Sequence, residues 1–320
     1  MSLPPPLRHA VDAILEGVPL SVLATASAAL SQRYRQEVRD GRLHLSDEQM
    51  ALAYLAARLP ATYAAVRAAM GFASETLSGF SPATMLDVGA GPGTSMWAAA
   101  DCWPGLSDML LIEASPAIRA VGERLAAAMP AQIVWRAGDA LALPDTPARD
   151  LVTLAYVLGE ISEGQRESLV DRLWRATAGL LLIVEPGTPA GWQRILAARD
   201  RLMAAGARIA APCPHALACP LAPPDWCHFA ARVARSKMHR RVKDADVPWE
   251  DEKFIYLAAS RLPVTVPASR IIAPPQARPG RVRLKLCEGN GAASWRLVTR
   301  REGVAFKAAR RSAWGDTFGD

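Results

Sequence analysis

Three of the five cysteines in this 320-residue chain fall within fifteen positions. Cys213, Cys219 and Cys227 sit in A-P-C-P-H-A-L-A-C-P-L-A-P-P-D-W-C-H-F, residues 211–229. Cys287, sixty residues beyond Cys227, ends the run R-V-R-L-K-L-C. Thiolates are the natural ligands of soft metals, and prolines stiffen the loop that presents three of them. Three thiols on one loop and a fourth on a distant strand suit either a tetrahedral zinc or an iron–sulfur cluster. The spacing is not the short C-x-x-C pair of zinc ribbons. His215 and His228 are possible substitutes for one cysteine, and three buried, unligated thiols are the bland alternative. Cys102, in A-A-D-C-W, reads as a small hydrophobe on a helix.

A second chemical signal is L-D-V-G-A-G-P-G, residues 86–93. Gly89, Gly91 and Gly93 let the backbone turn tightly and approach a ligand closely. Asp87, two positions before the first glycine, suits an ammonium group better than a phosphate. Glu113 ends the next apolar run, where a carboxylate can accept both hydroxyls of a ribose. Asp139, after the third run, could face an adenine amino group. These are positions at which a nucleoside lies across the ends of a doubly wound sheet. The apolar run 151–158 leads into Y-V-L-G-E-I, which carries neither an Asn-Pro-Pro-Tyr type loop nor a Pro-Cys nucleophile. Glu160 there is a candidate general base or simply a solvated carboxylate at a helix start.

The third signal is charge. The net charge is +6, but residues 1–230 hold 18 Lys+Arg against 22 Asp+Glu, and residues 231–320 hold 19 against 9. A basic C-terminal third on a mildly acidic body points to an anionic partner, most often nucleic acid. Its densest segment holds Arg232, Arg235, Lys237, Arg240, Arg241 and Lys243, residues that would contact phosphates without reading sequence.

The elements that must position these groups follow from periodicity. Residues 1–80 read as an N-terminal helical region, Ala/Leu-rich at helical spacing, with Pro60 dividing two helices. Residues 81–262 alternate short apolar runs with helical stretches, one of them over 115–128, which predicts an α/β, mostly parallel sheet. Within it lie the cysteine-rich segment 206–230 and the basic segment 231–243. Residues 263–320 read as a small, basic β-rich module, with E-G-N-G as a hairpin turn. No window holds eighteen uninterrupted apolar residues, so no membrane partner is expected. M-S-L-P-P-P-L-R-H-A is not a secretory signal. A reducing cytoplasmic location is expected, where clustered cysteines are ligands or redox groups rather than disulfides. A monomer is the default state.

D-V-G-A-G-P-G-T resembles the first motif of class I S-adenosylmethionine-dependent methyltransferases. That resemblance implies a Rossmann-like fold and S-adenosyl-L-methionine as cofactor, held by Asp87, Gly89, Gly91, Gly93, Glu113 and Asp139. A larger resemblance covers most of the chain. It rests on Y-L-A-A-R-L-P-A-T-Y-A (54–64), L-D-V-G-A-G-P-G-T, V-E-P-G-T-P-A-G-W (184–192), A-P-C-P-H-A-L-A-C-P-L, W-C-H-F and W-E-D-E-K-F-I-Y-L (249–257). These are similar to the methyltransferase-like assembly factors of the mitochondrial small ribosomal subunit and their bacterial relatives. The resemblance implies a [4Fe-4S] cluster on Cys213, Cys219, Cys227 and Cys287. It also implies small-subunit rRNA as partner and a role in ribosome assembly and translation. An active rRNA methyltransferase, and a small-molecule methyltransferase with a structural zinc, are the alternatives.

Overall fold

The computed structural model describes residues 1–36, 45, 47–127, 129–143 and 146–319. Four helices come first: α1 (Pro5–Leu15), α2 (Leu20–Arg35), α3 (Glu48–Ala57) and α4 (Leu59–Ser74). Asp47 caps α3 by accepting the Met50 N–H at 2.9 Å, which satisfies one of the orphan donors of the first turn. Pro60 sits in the first turn of α4, where its missing N–H is not needed. The expected division at this proline is what the structure has.

The alternating region follows as β1 (Thr84–Val88), α5 (Thr94–Cys102), β2 (Asp108–Glu113), α6 (Pro116–Ala126), β3 (Gln132–Ala137), β4 (Arg149–Ala155), α7 (Glu163–Arg175), β5 (Thr177–Pro186) and α8 (Pro189–Ala204). α6 is the helix read over 115–128; Ala128 lies outside the described residues. Then come β6 (Arg208–Ala211), β7 (Phe229–Ala234), α9 (Lys237–Val242) and β8 (Trp249–Ser260). The sheet order is β3-β2-β1-β4-β5-β8-β6, with β7 also on β8. β1 to β5 are mutually parallel, and β8 runs antiparallel to β5. Leu180–Val184 of β5 are all buried, as expected of a parallel strand with helices on both faces. The order reverses between β1 and β4, so a crevice opens at their C-terminal ends. This is the mostly parallel sheet the alternation predicted, in the Rossmann-like order the glycine-loop resemblance implied.

The outer edge of β8 carries two strands in succession. β6 pairs with its end at 258–260, and β7 with its start at 249–254. The chain leaves this edge at Ala211 and rejoins it at Phe229. The cysteine loop is that excursion. The basic stretch hides β7 and α9, which the charge pattern had masked.

The C-terminal module is a separate sheet: β9 (Ser269–Ile271), β10 (Gln276–Arg278), β11 (Arg281–Glu288) and β12 (Ala293–Thr299), followed by α10 (Val304–Arg311). β11 is central, pairing with β9, β10 and β12. Gly291, at φ +85°, makes the E-G-N-G turn and donates to the Glu288 carbonyl at 2.9 Å. Val282, Leu284, Leu286 and Val298 bury one face with Phe306, Ala309 and Phe318. α10 was absent from the sequence reading, because its apolar face is only Phe306 and Ala309 in a basic run. Among the described residues no single helix is long and apolar enough to cross a membrane.

Candidate functional sites

The crevice beyond β1, β2 and β4 is a cavity of about 490 Å³, a size suited to a nucleoside-bearing ligand. Gly89, Gly91, Glu113 and Asp139 line it together. The three loop glycines have φ of +66°, +56° and +79°, which L side chains rarely adopt. A Cβ on Gly89 would stand 2.5 Å from the Val157 side chain. Gly91 meets no protein atom there, so its bare backbone faces the open cavity. Glu113 accepts the Gly91 N–H through Oε2 and the Ser115 N–H through Oε1, both at 2.8 Å. Burial pushes its carboxyl up, against the pull of these N–H groups. Asp139 Oδ1 accepts the Leu141 N–H at 2.8 Å.

Asp87 and Gly93, expected to face the same ligand, do not line the cavity. Asp87 is buried beneath the loop, its Oδ1 accepting the Thr153 hydroxyl at 2.6 Å. Burial pushes the carboxyl up to about 7, against hydrogen bonding from Thr153 and Ser95. Gly93 starts α5, packed near Met96, Leu111 and Trp135.

The far wall of the cavity holds groups the sequence did not single out. Tyr156 has φ +62°, a strained position for a non-glycine residue. Its hydroxyl donates to Glu252 at 3.1 Å, and Arg58 stands 3.5 Å from the same oxygen. Arg194 Nε donates to Glu185 Oε2 at 2.7 Å, and the Leu158 N–H donates to Oε1 at 3.0 Å. Glu160 is on this wall too. The cavity walls, with the like charges of Glu113 and Glu185, push its carboxyl up, to about 8, though the residue stays exposed and solvent screens part of that effect. Arg58 and Glu185 fall inside runs 54–64 and 184–192, the one available signal for them.

The second site joins the two sheets. Cys213, Cys219 and Cys227 from the loop and Cys287 from β11 line one pocket, walled by Trp192, Ile195, Leu196, Ile255, Leu257 and Ile272. Burial pushes the Cys213, Cys227 and Cys287 thiols up, the last to about 12. The sulfurs also raise one another: Cys227 feels Cys213, Cys287 and Cys219. His215 is part of the lining, its Nε2 3.3 Å from the Cys287 sulfur, whereas His228 stacks on Trp226. Cys102 is half-buried at the end of α5, away from the group. Among the described residues, no three His, Cys, Asp or Glu side chains stand in metal-binding geometry.

Two guanidiniums flank the sulfurs. Arg199 is 2% exposed and Arg270 0%. Arg199 donates to the carbonyls of His215 and Leu217 at 3.1 and 2.7 Å. Arg270 donates to Pro212 and Gly315 carbonyls at 2.9 and 2.7 Å. Among the described residues Arg199 Nε and Arg270 Nη2 have no hydrogen-bond partner, while the Arg199 guanidinium lies close enough to the Cys213 thiol to hydrogen-bond it. Their acidic neighbours are remote or wet: Asp200, largely exposed, at 3.3 Å, and Glu75, half-exposed, at 3.8 Å. Both arginines pull the Cys213 thiol down, against its burial. The pocket therefore holds excess positive charge and four ionisable sulfurs.

The basic segment divides in two. Arg232 pairs with Asp251 at 2.8 Å, and Arg235 and Lys243 both reach Glu250, at 3.0 and 2.8 Å. Burial pushes Glu250 up, but hydrogen bonds and charge from His239, Lys243 and Arg235 overcome it and hold the carboxyl well below the usual range. These three cations tie β7 and α9 to β8. Lys237 and Arg241 are exposed on α9 and Arg240 half-buried, and none of the three has an acidic partner among the described residues.

The family described as mitochondrial small ribosomal subunit Rsm22 matches residues 48–319. The human mitochondrial ribosome assembly protein METTL17 is 30% identical over 298 residues, which is 84% of this chain and 62% of that protein. The Rsm22-cox11 tandem protein 2 of Schizosaccharomyces pombe is 25% identical over 328 residues, 86% of this chain and 43% of its own length. This chain thus spans 62% and 43% of the lengths of these two curated relatives. Magnesium protoporphyrin IX methyltransferase of Synechocystis PCC 6803, solved with bound SAM, superposes at a TM-score of 0.42 with 15% identity, over 72% of this chain and 91% of its own. The matched span takes in the glycine loop, the cysteine loop and the whole C-terminal sheet, and this chain belongs to the Rsm22 family.

Proposed function

We propose that this chain is a monomeric cytoplasmic protein that binds small-subunit rRNA and supports ribosome assembly and translation. A [4Fe-4S] cluster on Cys213, Cys219, Cys227 and Cys287 is part of this reading, with S-adenosyl-L-methionine in the glycine-loop cavity. The observation that carries it is the meeting of four cysteines from two sheets in one apolar pocket beside two buried arginines. Neutral thiols leave those buried cations only the solvent-exposed Asp200 and half-exposed Glu75 as counter-charges, and burying a charge with so little pairing is costly. A cluster held by four thiolates has net negative charge that Arg199 and Arg270 offset. A zinc held by four thiolates would balance them too, and it is membership of the family that favours iron–sulfur. Free energy of binding at such a site becomes folding free energy, here tying the C-terminal sheet to the body. The ribosomal reading draws on the name of the human relative, a ribosome assembly protein. Anaerobic purification tests the site: coloured protein with about four irons per chain is expected. Colourless protein holding one zinc would overturn the cluster.

The crowded carboxylates of the cavity favour a second reading, an S-adenosylmethionine-dependent methyltransferase acting on the same RNA. Glu160 at a pKa of about 8 could hold or accept a proton near neutral pH. Gly91→Arg puts a long side chain into the cavity from a position at φ +56°. It is expected to abolish S-adenosylmethionine binding measured by calorimetry. If this variant fully complements a deletion of the gene, methyl transfer is not the cellular role.

A further inference from the structure

The C-terminal sheet has one covered face and one bare face. α10 and Phe318 cover the side carrying Val282, Leu284, Leu286 and Val298. The other side presents Arg278 of β10, Arg281 and Arg283 of β11, and Trp295 and Leu297 of β12. Register gathers them: Arg278 lies opposite Arg281, and Arg283 opposite Leu297. The Arg283 guanidinium stands over the Trp295 ring, 4.3 Å from its centre. Trp295 is 42% exposed and Leu297 51%. None of the three arginines has an acidic partner among the described residues. The one acid in β10, β11 and β12 is Glu288, at the far end, where it accepts the Ser294 hydroxyl.

Such a face is unfavourable when bare, combining exposed apolar area with like charges that repel. Its best complement is flat, apolar and anionic at once. Unpaired nucleotides have that chemistry: bases stack on aromatic rings or on guanidinium planes, and phosphates meet the cations. A duplex hides its bases and offers phosphates alone. An acidic peptide would match the charge and leave the ring uncovered.

We infer that this face is a stacking platform for a single-stranded segment of RNA. One base stacks on the Arg283–Trp295 pair, Leu297 packs beside it, and Arg278 and Arg281 take phosphates. The inference rests on the RNA-binding reading above and adds the surface and the strandedness. The same side of β11 continues through Lys285, ion-paired with Asp225, to Cys287 in the cysteine pocket. The platform is thereby anchored at its inner end to the body.

The test uses the full chain and fluorescence anisotropy with an oligouridylate of about twelve nucleotides and an RNA duplex of equal length. The single strand is expected to bind more tightly. Trp295→Ala weakens it roughly 5- to 150-fold, and Trp295→Phe restores most of the loss. Arg278→Gln/Arg281→Gln lowers the slope of log Kd against log salt by about 1.4, two single-strand phosphate contacts. These side chains are exposed, so unchanged melting curves check that folding is intact. If these variants bind as the parent does, while Arg240→Glu/Arg241→Glu on α9 loses RNA, the inference falls and the RNA-binding reading stands. If Trp295→Ala keeps RNA affinity but loses small subunits in co-sedimentation, the face docks a ribosomal protein and the inference falls. If the parent binds neither oligonucleotide nor subunits, both fall.

Discussion

With the proposed cluster on the four cysteines, Cys219→Ser is expected to lose iron and to lower the melting temperature of the whole chain by about 5–8 °C. The loop holding Cys219 has little regular structure between Ala211 and Phe229. Its order depends on what its side chains meet. The C-terminal sheet meets the loop where Cys287 enters the same pocket. Metal at a structural site contributes roughly 10–16 kcal/mol in small zinc domains. Losing a third of that, at about 1.5 °C per kcal/mol for a chain of 320 residues, gives the stated shift. Melting followed by circular dichroism, with iron analysis on the same samples, measures both effects. Cys102→Ser, at the half-buried end of α5, is the control that keeps its iron. A Cys219→Ser protein that loses its colour and melts unchanged would sink the structural role and leave a redox or sensing one.

The legibility of these sites in the sequence was uneven, for physical reasons. The glycine loop was legible because φ near +60° excludes most side chains, so the backbone writes itself into residue type. The cysteines were legible because thiols cluster for few reasons other than ligation. The burial of Asp87 was not legible, because a carboxylate near a loop reads the same whether it faces ligand or strand. Only the Thr153 bond from β4 separates the two. The ion pairs within the basic segment were hidden for a similar reason. Charge shows in composition, but the acids that neutralise Arg232, Arg235 and Lys243 are on β8, up to nineteen positions away. The bare face of the C-terminal sheet was spread over three strands, and only their register assembles it. Arg199 and Arg270 were invisible as counter-charges, since nothing local marks an arginine as buried.

Arg194→Ala is the other substitution with a large expected effect, about 3–5 kcal/mol of stability lost near neutral pH. Arg194 and Glu185 are both buried, joined at 2.7 Å. Truncating one partner of such a pair leaves the other charge desolvated and alone, which costs about that much. The loss depends on pH in a definite direction. Burial already raises the Glu185 carboxyl above its ordinary value, with Arg194 and the Leu158 N–H pulling it back. Without Arg194 the folded-state pKa rises further. A raised carboxylate favours the fold while protonated, and that contribution falls as pH climbs from the unfolded value of about 4.3 through the folded one. The variant should therefore lose less at pH 5 than at pH 8, measured by urea unfolding at both. Arg194→Met/Glu185→Leu removes both charges and is expected to recover most of the stability, since an apolar pair of similar volume often matches a buried ion pair. The same double variant still loses the polar wall of the cavity, so ligand binding need not return with the fold. Equal losses at the two pH values, with no recovery in the double variant, would mean that Arg194 acts through packing and that Glu185 is not held as an anion.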